Sequence, residues 1–134
     1  MRVAVYCRVN SKEQQLSALE EQESIVKDFC KKNGADVVSV LREIRSGHAP
    51  FTEDFKALLQ AVKNRELDGI AVLDLARITR EYELFKKFSE DMNRYGGVCI
   101  SSETGIMKTG KEQQGTAVFL DIEKRLSLLK KSER

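Results

Sequence analysis

The chain has 134 residues, 41% of them hydrophobic and 33% charged, which fits one globular domain and excludes a disordered polymer. The formal net charge of +2 admits a nucleic-acid partner without demanding one. No apolar run is long enough to span a bilayer and no signal-peptide pattern opens the chain, so a cytoplasmic protein without membrane contact is expected.

In chain order, Val3, Ala4, Val5, Tyr6 and Cys7 read as a strand that is apolar on both faces, as in a covered parallel sheet. A helix is predicted from about Lys12 to Lys32, with Leu16, Leu19, Ile25, Val26 and Phe29 at helical spacing and Gly34 as its stop. Val37 to Leu41 forms the second predicted strand, and Arg42 to Phe51 a loop that contains Ser46-Gly47 and Pro50. The second helix is expected over about Glu53 to Asn64, capped by Thr52, with Phe55, Leu58, Leu59 and Val62 as its buried stripe. Gly69 to Leu73 is the third strand and Asp74 to Arg80 a polar connection. Thr79 is the predicted cap of a third helix that carries Leu84, Phe85, Phe88 and Met92 and ends near Gly96-Gly97. Val98 to Ser101 is the fourth strand, Ser102 to Gln114 a loop, and about 115–131 a last amphipathic helix with Val118, Phe119, Ile122, Leu126 and Leu129.

Strands alternating with helices imply an α/β three-layer sandwich: a four-stranded, mostly parallel sheet with helices on both faces, plus a long C-terminal helix. One domain, 1–134, is expected. Cys7, Cys30 and Cys99 are odd in number and lack paired spacing, so buried free thiols are expected rather than a disulfide or a zinc site.

In open α/β sheets ligands gather outside the carboxyl ends of the strands. Those ends deliver Arg8, Asn10, Ser11 and Gln14 from the first strand and Glu43, Arg45, Ser46 and Gly47 from the second. The third delivers Asp74, Arg77 and Arg80, and the fourth Ser101, Ser102, Glu103 and Thr104. Arginines converging on one edge suit a multiply charged oxyanion such as phosphate, helped by helix N-termini. The competing reading makes each arginine an independent surface residue or pairs it with Glu43, Glu81 or Asp74.

Several segments resemble one family in order and spacing. Tyr6-Cys7-Arg8-Val9-Asn10-Ser11-Lys12-Glu13-Gln14 resembles the opening Tyr-x-Arg-Val-Ser-Thr-x-x-Gln motif of serine recombinases, the resolvase/invertase family. Glu43 with Ser46-Gly47 resembles the family's Asp-x-x-Ser-Gly loop, and Leu75-Ala76-Arg77-Ile78-Thr79-Arg80 its Leu-Asp-Arg-Leu-Ser-Arg motif. Glu103-Thr104-Gly105-Ile106, with Gly115 opening a long helix, resembles the approach to the dimerisation helix.

The resemblance implies a resolvase-like catalytic domain for DNA strand exchange, in which a serine attacks a phosphodiester, forms a phosphoserine link and rejoins the ends. It implies no metal and no cofactor, DNA as partner, and assembly as a homodimer or tetramer. Arg8, Arg77 and Arg80 match the phosphate-binding arginines, Gln14 the first-motif glutamine and Ser46 the loop serine. The departures concern the same constellation. Asn10 stands at the nucleophile position, and an amide does not replace a hydroxyl there. Ala76 stands where the motif has aspartate, and Thr52 where many members have an arginine. Ser11 is adjacent, but strand neighbours point to opposite faces; a turn beginning at Asn10 would re-aim it, so Ser11 is kept as the alternative nucleophile beside the leading expectation that cleavage is lost.

The leading expectation is a recombinase-like domain impaired or inactive in cleavage. Two alternatives stand beside it. One is a dead oligomerisation or regulatory module that partners an active recombinase, distinguished by an absence of salt-dependent DNA binding. The other is a flavodoxin-like domain that binds a small phosphate compound.

Overall fold

A computed structural model describes residues 1–10 and 15–108. Its elements are β1 (Arg2–Val9), α1 (Gln15–Lys32), β2 (Asp36–Ile44), α2 (Glu53–Lys63), β3 (Gly69–Val72), a single 3-10 turn (Leu75–Arg77), α3 (Tyr82–Tyr95), β4 (Val98–Ser101) and β5 (Gly105–Lys108). They form one sheet in the order β2-β1-β3-β4-β5. The first four strands are parallel, as the alternation of strands and helices implied, and β5 runs antiparallel to β4. Among the described residues no helix is long and apolar enough to cross a membrane.

β1 lies inside the sheet and is buried on both faces. Val3, Val5, Cys7 and Val9 face α1 with Leu19, Val26 and Cys30. Ala4 and Tyr6 face α2 and α3 with Phe55, Val62, Phe85, Phe88 and Met92. This two-sided burial is why the strand reads as an unbroken apolar run until Arg8. α2 begins as the sequence indicates: the Thr52 hydroxyl accepts the Phe55 N–H at 3.0 Å. α3 ends at Gly96, whose φ of 70° is the left-handed cap that glycine adopts without strain.

Four sequence expectations need correction. Arg42–Ile44, read as loop, continue β2, because the strand pairs with β1 along its whole length to Val9↔Ile44. Gly105–Lys108, read as loop, form β5; the hairpin from Ser101 turns back so that Ser101 pairs with Gly105. Leu16 and Ile25, assigned to the buried stripe of α1, are exposed, and the inward positions go to Leu19, Gln22, Val26 and Cys30 at helical spacing. Thr79 does not hold the N-cap position of α3, which is Glu81. Its hydroxyl instead accepts the Glu81 N–H at 3.1 Å and donates to the Gly47 carbonyl at 3.1 Å. The helix expected over 115–131 lies outside the described residues.

Phe55 anchors the α2/α3 layer. Its ring is fully buried, with centroids 4.9 Å from Tyr6, 4.6 Å from Phe51 and 6.1 Å from Phe88. Phe55→Ala is expected to cost about 3–5 kcal/mol of unfolding free energy in a urea titration. A loss under about 1 kcal/mol would contradict this packing.

Candidate phosphate-binding site at the carboxyl edge of the sheet

β1 outruns β3: their pairing ends at Val5↔Ala71. On that side the backbone of Arg8 is satisfied by a side chain. The Gln22 carboxamide donates to the Arg8 carbonyl at 3.0 Å and accepts its N–H at 3.3 Å. Gln22 is itself buried, and it locks α1 to the end of the strand.

The Arg8 side chain is 1% exposed, although it lies at the carboxyl edge of the sheet. Its Nε donates to the Arg77 carbonyl at 3.0 Å, its Nη2 to the Ala76 carbonyl at 2.8 Å and its Nη1 to the Arg45 carbonyl at 3.1 Å. Nη1 also donates to the Asn10 Oδ1. One guanidinium thus joins the end of β1, the β2–α2 loop and the 3-10 turn. No carboxylate pairs with it among the described residues. Burial, together with the positive charges of Arg45, Arg77 and Arg80, pushes its pKa down to about 10, so it remains cationic at neutral pH.

Arg77 and Arg80 stand on top of this support. Arg77 Nη1 donates to the Arg8 carbonyl at 3.1 Å. Arg77 Nε lies 3.5 Å from Asp74 Oδ2, an ion-pair distance, yet Arg77 Nε and Asp74 Oδ1 are both buried without an aligned hydrogen bond. Arg80 is exposed, and its guanidinium has no hydrogen-bond or ion-pair partner among the described residues. Its backbone N–H donates to the Gly47 carbonyl at 2.8 Å. Its stem crosses Gly47 so closely that a Cβ there would sit 2.6 Å from Arg80 Cγ and 2.9 Å from Arg8 Nη2. The Ser-Gly dipeptide therefore has a steric reason: only glycine lets both arginines reach this edge.

The floor of the loop is a carboxylate. Glu43 accepts from the Tyr6 hydroxyl at 2.7 Å, from the Thr52 hydroxyl at 2.5 Å and from Arg45 Nε at 3.4 Å. Burial, and then the bond to Glu43, raise the Tyr6 pKa, so its hydroxyl stays a donor. Ser46 is exposed, and its Oγ accepts the His48 N–H at 3.1 Å. His48 Nδ1 meets Glu81 at 2.8 Å. At the end of β4 the Ser101 hydroxyl accepts the Glu103 N–H of the following turn, and the Ser102 hydroxyl donates across to the Leu73 carbonyl beyond β3 at 2.8 Å.

The structure brings Arg8, Asn10 and Arg77 into direct contact and sets Arg80 beside them across Gly47. Arg8, expected to bind phosphate, has its donors turned onto protein acceptors instead. Gln14 and Ser11 lie outside the described residues. Gln22 was not singled out in the sequence, and Arg45 was placed at the edge without a role of its own. Gln22 did carry a signal: it is the polar residue at the buried spacing of Leu19 and Val26. Nothing in the sequence marked Arg45 as buried.

The sheet order and the helices on both faces define a doubly wound α/β domain whose carboxyl edge carries Arg8, Arg45, Arg77 and Arg80 beside the Ser-Gly loop. The family model described as "Resolvase, N terminal domain" matches residues 3–129, and the chain belongs to that serine recombinase family. In fold it is similar to the N-terminal catalytic domain of TP901-1 integrase, at 19% identity and a TM-score of 0.74, covering 100% of this chain and 97% of that one. It is also similar to a resolvase family site-specific recombinase from Streptococcus pneumoniae (22% identity, TM-score 0.71, covering 100% and 88%). A serine recombinase from Sulfolobus solfataricus shares the fold at 19% identity and a TM-score of 0.63, covering 89% and 74%.

Two predictions follow from this geometry. Arg8→Met strips donors from the carbonyls of Arg45, Ala76 and Arg77, and is expected to cost at least about 3 kcal/mol at roughly 1–3 kcal/mol per orphaned acceptor. Arg8→Lys should recover little of it, because one ammonium does not span a forked set of acceptors. Urea unfolding that is unchanged in Arg8→Met would contradict the bracing role. The second concerns the thiols. Burial pushes Cys7 up to about 11 and Cys99 to about 12 and raises Cys30, so none is poised as a replacement nucleophile. Alkylation of the native protein at neutral pH should modify none of the three buried thiols, whereas the denatured chain takes up label at each. Rapid native labelling of Cys7, read by mass spectrometry, would count against this.

Proposed function

We propose that this domain binds a DNA phosphate through Arg77 and Arg80 and does not cleave DNA by itself. The observation that carries the reading is at Asn10. It occupies the position at the end of β1 where the family motif has its nucleophile, and its Oδ1 is taken by the Arg8 guanidinium. The remaining amide nitrogen has its lone pair delocalised into the carbonyl and does not attack phosphorus. Arg80, exposed and without a partner among the described residues, supports phosphate contact, as does the excess of positive charge over Arg8, Arg45, Arg77 and Arg80. Arg8 then contributes charge and rigidity from below rather than a direct contact. Residues 1–134 act as one catalytic-type domain. The amphipathic 115–131 stretch supplies self-association into a dimer or tetramer, or pairing with a cleavage-competent recombinase.

A nicked suicide DNA substrate tests the reading through a covalent protein–DNA adduct. The native chain and Ser11→Ala should both give none. Asn10→Ser, together with Ala76→Asp and Thr52→Arg, restores the motif's groups and is the variant in which an adduct is expected. An adduct from the native chain that vanishes in Ser11→Ala would overturn the proposal in favour of Ser11 as the nucleophile.

A further inference from the structure

Arg45 is two residues beyond Glu43, and its side chain is only 8% exposed although it leaves a loop. Its Nε meets Glu43 Oε1 at 3.4 Å. Its Nη1 donates to the Ser46 and Ala49 carbonyls at 3.1 and 3.2 Å. Its Nη2 crosses to the other wall of the site and donates to the Ile78 carbonyl at 3.0 Å. The Phe51 ring lies beneath the guanidinium, 5.8 Å from its carbon. Ile78 ends the 3-10 turn and is followed directly by Thr79 and Arg80, both of which bond the Gly47 carbonyl. Arg45 and Gly47 therefore clamp the same two walls together, one through a charged fork and one through a carbonyl.

We propose that Arg45 is a positioning residue of the phosphate site: it fixes the Ile78–Arg80 turn against the Ser46–Gly47 loop and so holds Arg80 over Gly47. The proposal rests on the reading of Arg77 and Arg80 as phosphate contacts, and gives that site a determinant that itself touches no phosphate. The backbone carbonyls and the carboxylate engage Arg45 from several directions, which a planar fork satisfies and a point charge does not. Glu43 is in turn braced by Tyr6 and Thr52, so the clamp is anchored to β1 and to the start of α2. Release of the clamp leaves Arg80 charged but mobile. The expected consequence is weaker phosphate binding with no loss of net charge when arginine becomes lysine.

The test is binding of the full chain to a labelled duplex of random sequence across a salt series. Arg80→Met should lower the slope of log affinity against log salt by about 1, the share of one phosphate contact. Arg45→Lys, at unchanged net charge, should lower that slope by up to about 1 as well. Arg45→Lys combined with Arg80→Met should be no worse than Arg80→Met alone, because both changes remove the same contact. Binding by Arg45→Lys that equals the native chain, or losses that add in the double variant, would overturn the positioning role while leaving the phosphate site intact. A native chain without salt-dependent binding, matched by Arg80→Met, would overturn both readings together. Cooperative thermal unfolding establishes that each variant is folded. If Arg45→Lys is not, Phe51→Leu withdraws the ring under the guanidinium and must show a smaller loss that disappears in the Arg80→Met background; an additive or absent loss there overturns the proposal.

Discussion

The buried Arg8 guanidinium is the constraint on which the carboxyl edge of the sheet depends. Taking such a cation out of water costs several kcal/mol, and this cost is offset only where acceptors surround it. Here the acceptors are carbonyls of Arg45, Ala76 and Arg77 and the Asn10 carboxamide, drawn from three segments far apart in the chain. Each charge-assisted bond contributes about 1.5–3 kcal/mol, so the set is of the size needed to hold the cation in place. The loops do not merely lie near one another; they share a charge that each alone would leave exposed.

From that bracing follows a division of labour among like charges. Arg8 and Arg45 are turned inward onto carbonyls, while Arg77 is half-buried and Arg80 is exposed above Gly47 with no partner for its guanidinium among the described residues. Burial, and after it the neighbouring charges of Arg45, Arg77 and Arg80, lowers the pKa of Arg8, so the guanidinium groups held close here repel one another. Under the proposed function, an arriving phosphate would relieve the repulsion and need little rearrangement of the inward pair, which is the sense in which the site is preorganised. Asn10 belongs to the inward set. Its oxygen helps to satisfy Arg8, so the residue that aligns with the serine of the motif serves structure here.

Much of the fold was legible because burial and periodicity coincide. Val3 to Cys7 are apolar on both faces since helices cover both, and Thr52 caps α2 as its residue type and place suggest. Legibility failed where polar residues do structural work. Arg42 and Glu43 look like loop but lie on the edge strand β2, where one side of the backbone pairs with β1 and the side chains meet partners at the rim. Gln22 sits on the buried stripe because the β1 backbone needs a carboxamide where β3 has already ended. In the site, the motif positions of Arg8, Asn10, Arg77 and Arg80 were readable, but the direction in which Arg8 points was not. Only packing decides whether a guanidinium faces a ligand or a set of carbonyls.

The central claim is that Arg8 supports the site from within while Arg77 and Arg80 meet the phosphate. It is tested most directly by NMR of the arginine Nε–Hε groups during titration with duplex DNA. The account predicts that the Arg8 signal is slow to exchange with water and unmoved by DNA, while those of Arg77 and Arg80 shift. A fast-exchanging Arg8 signal that shifts with the added DNA, beside an unmoved Arg80, would contradict it.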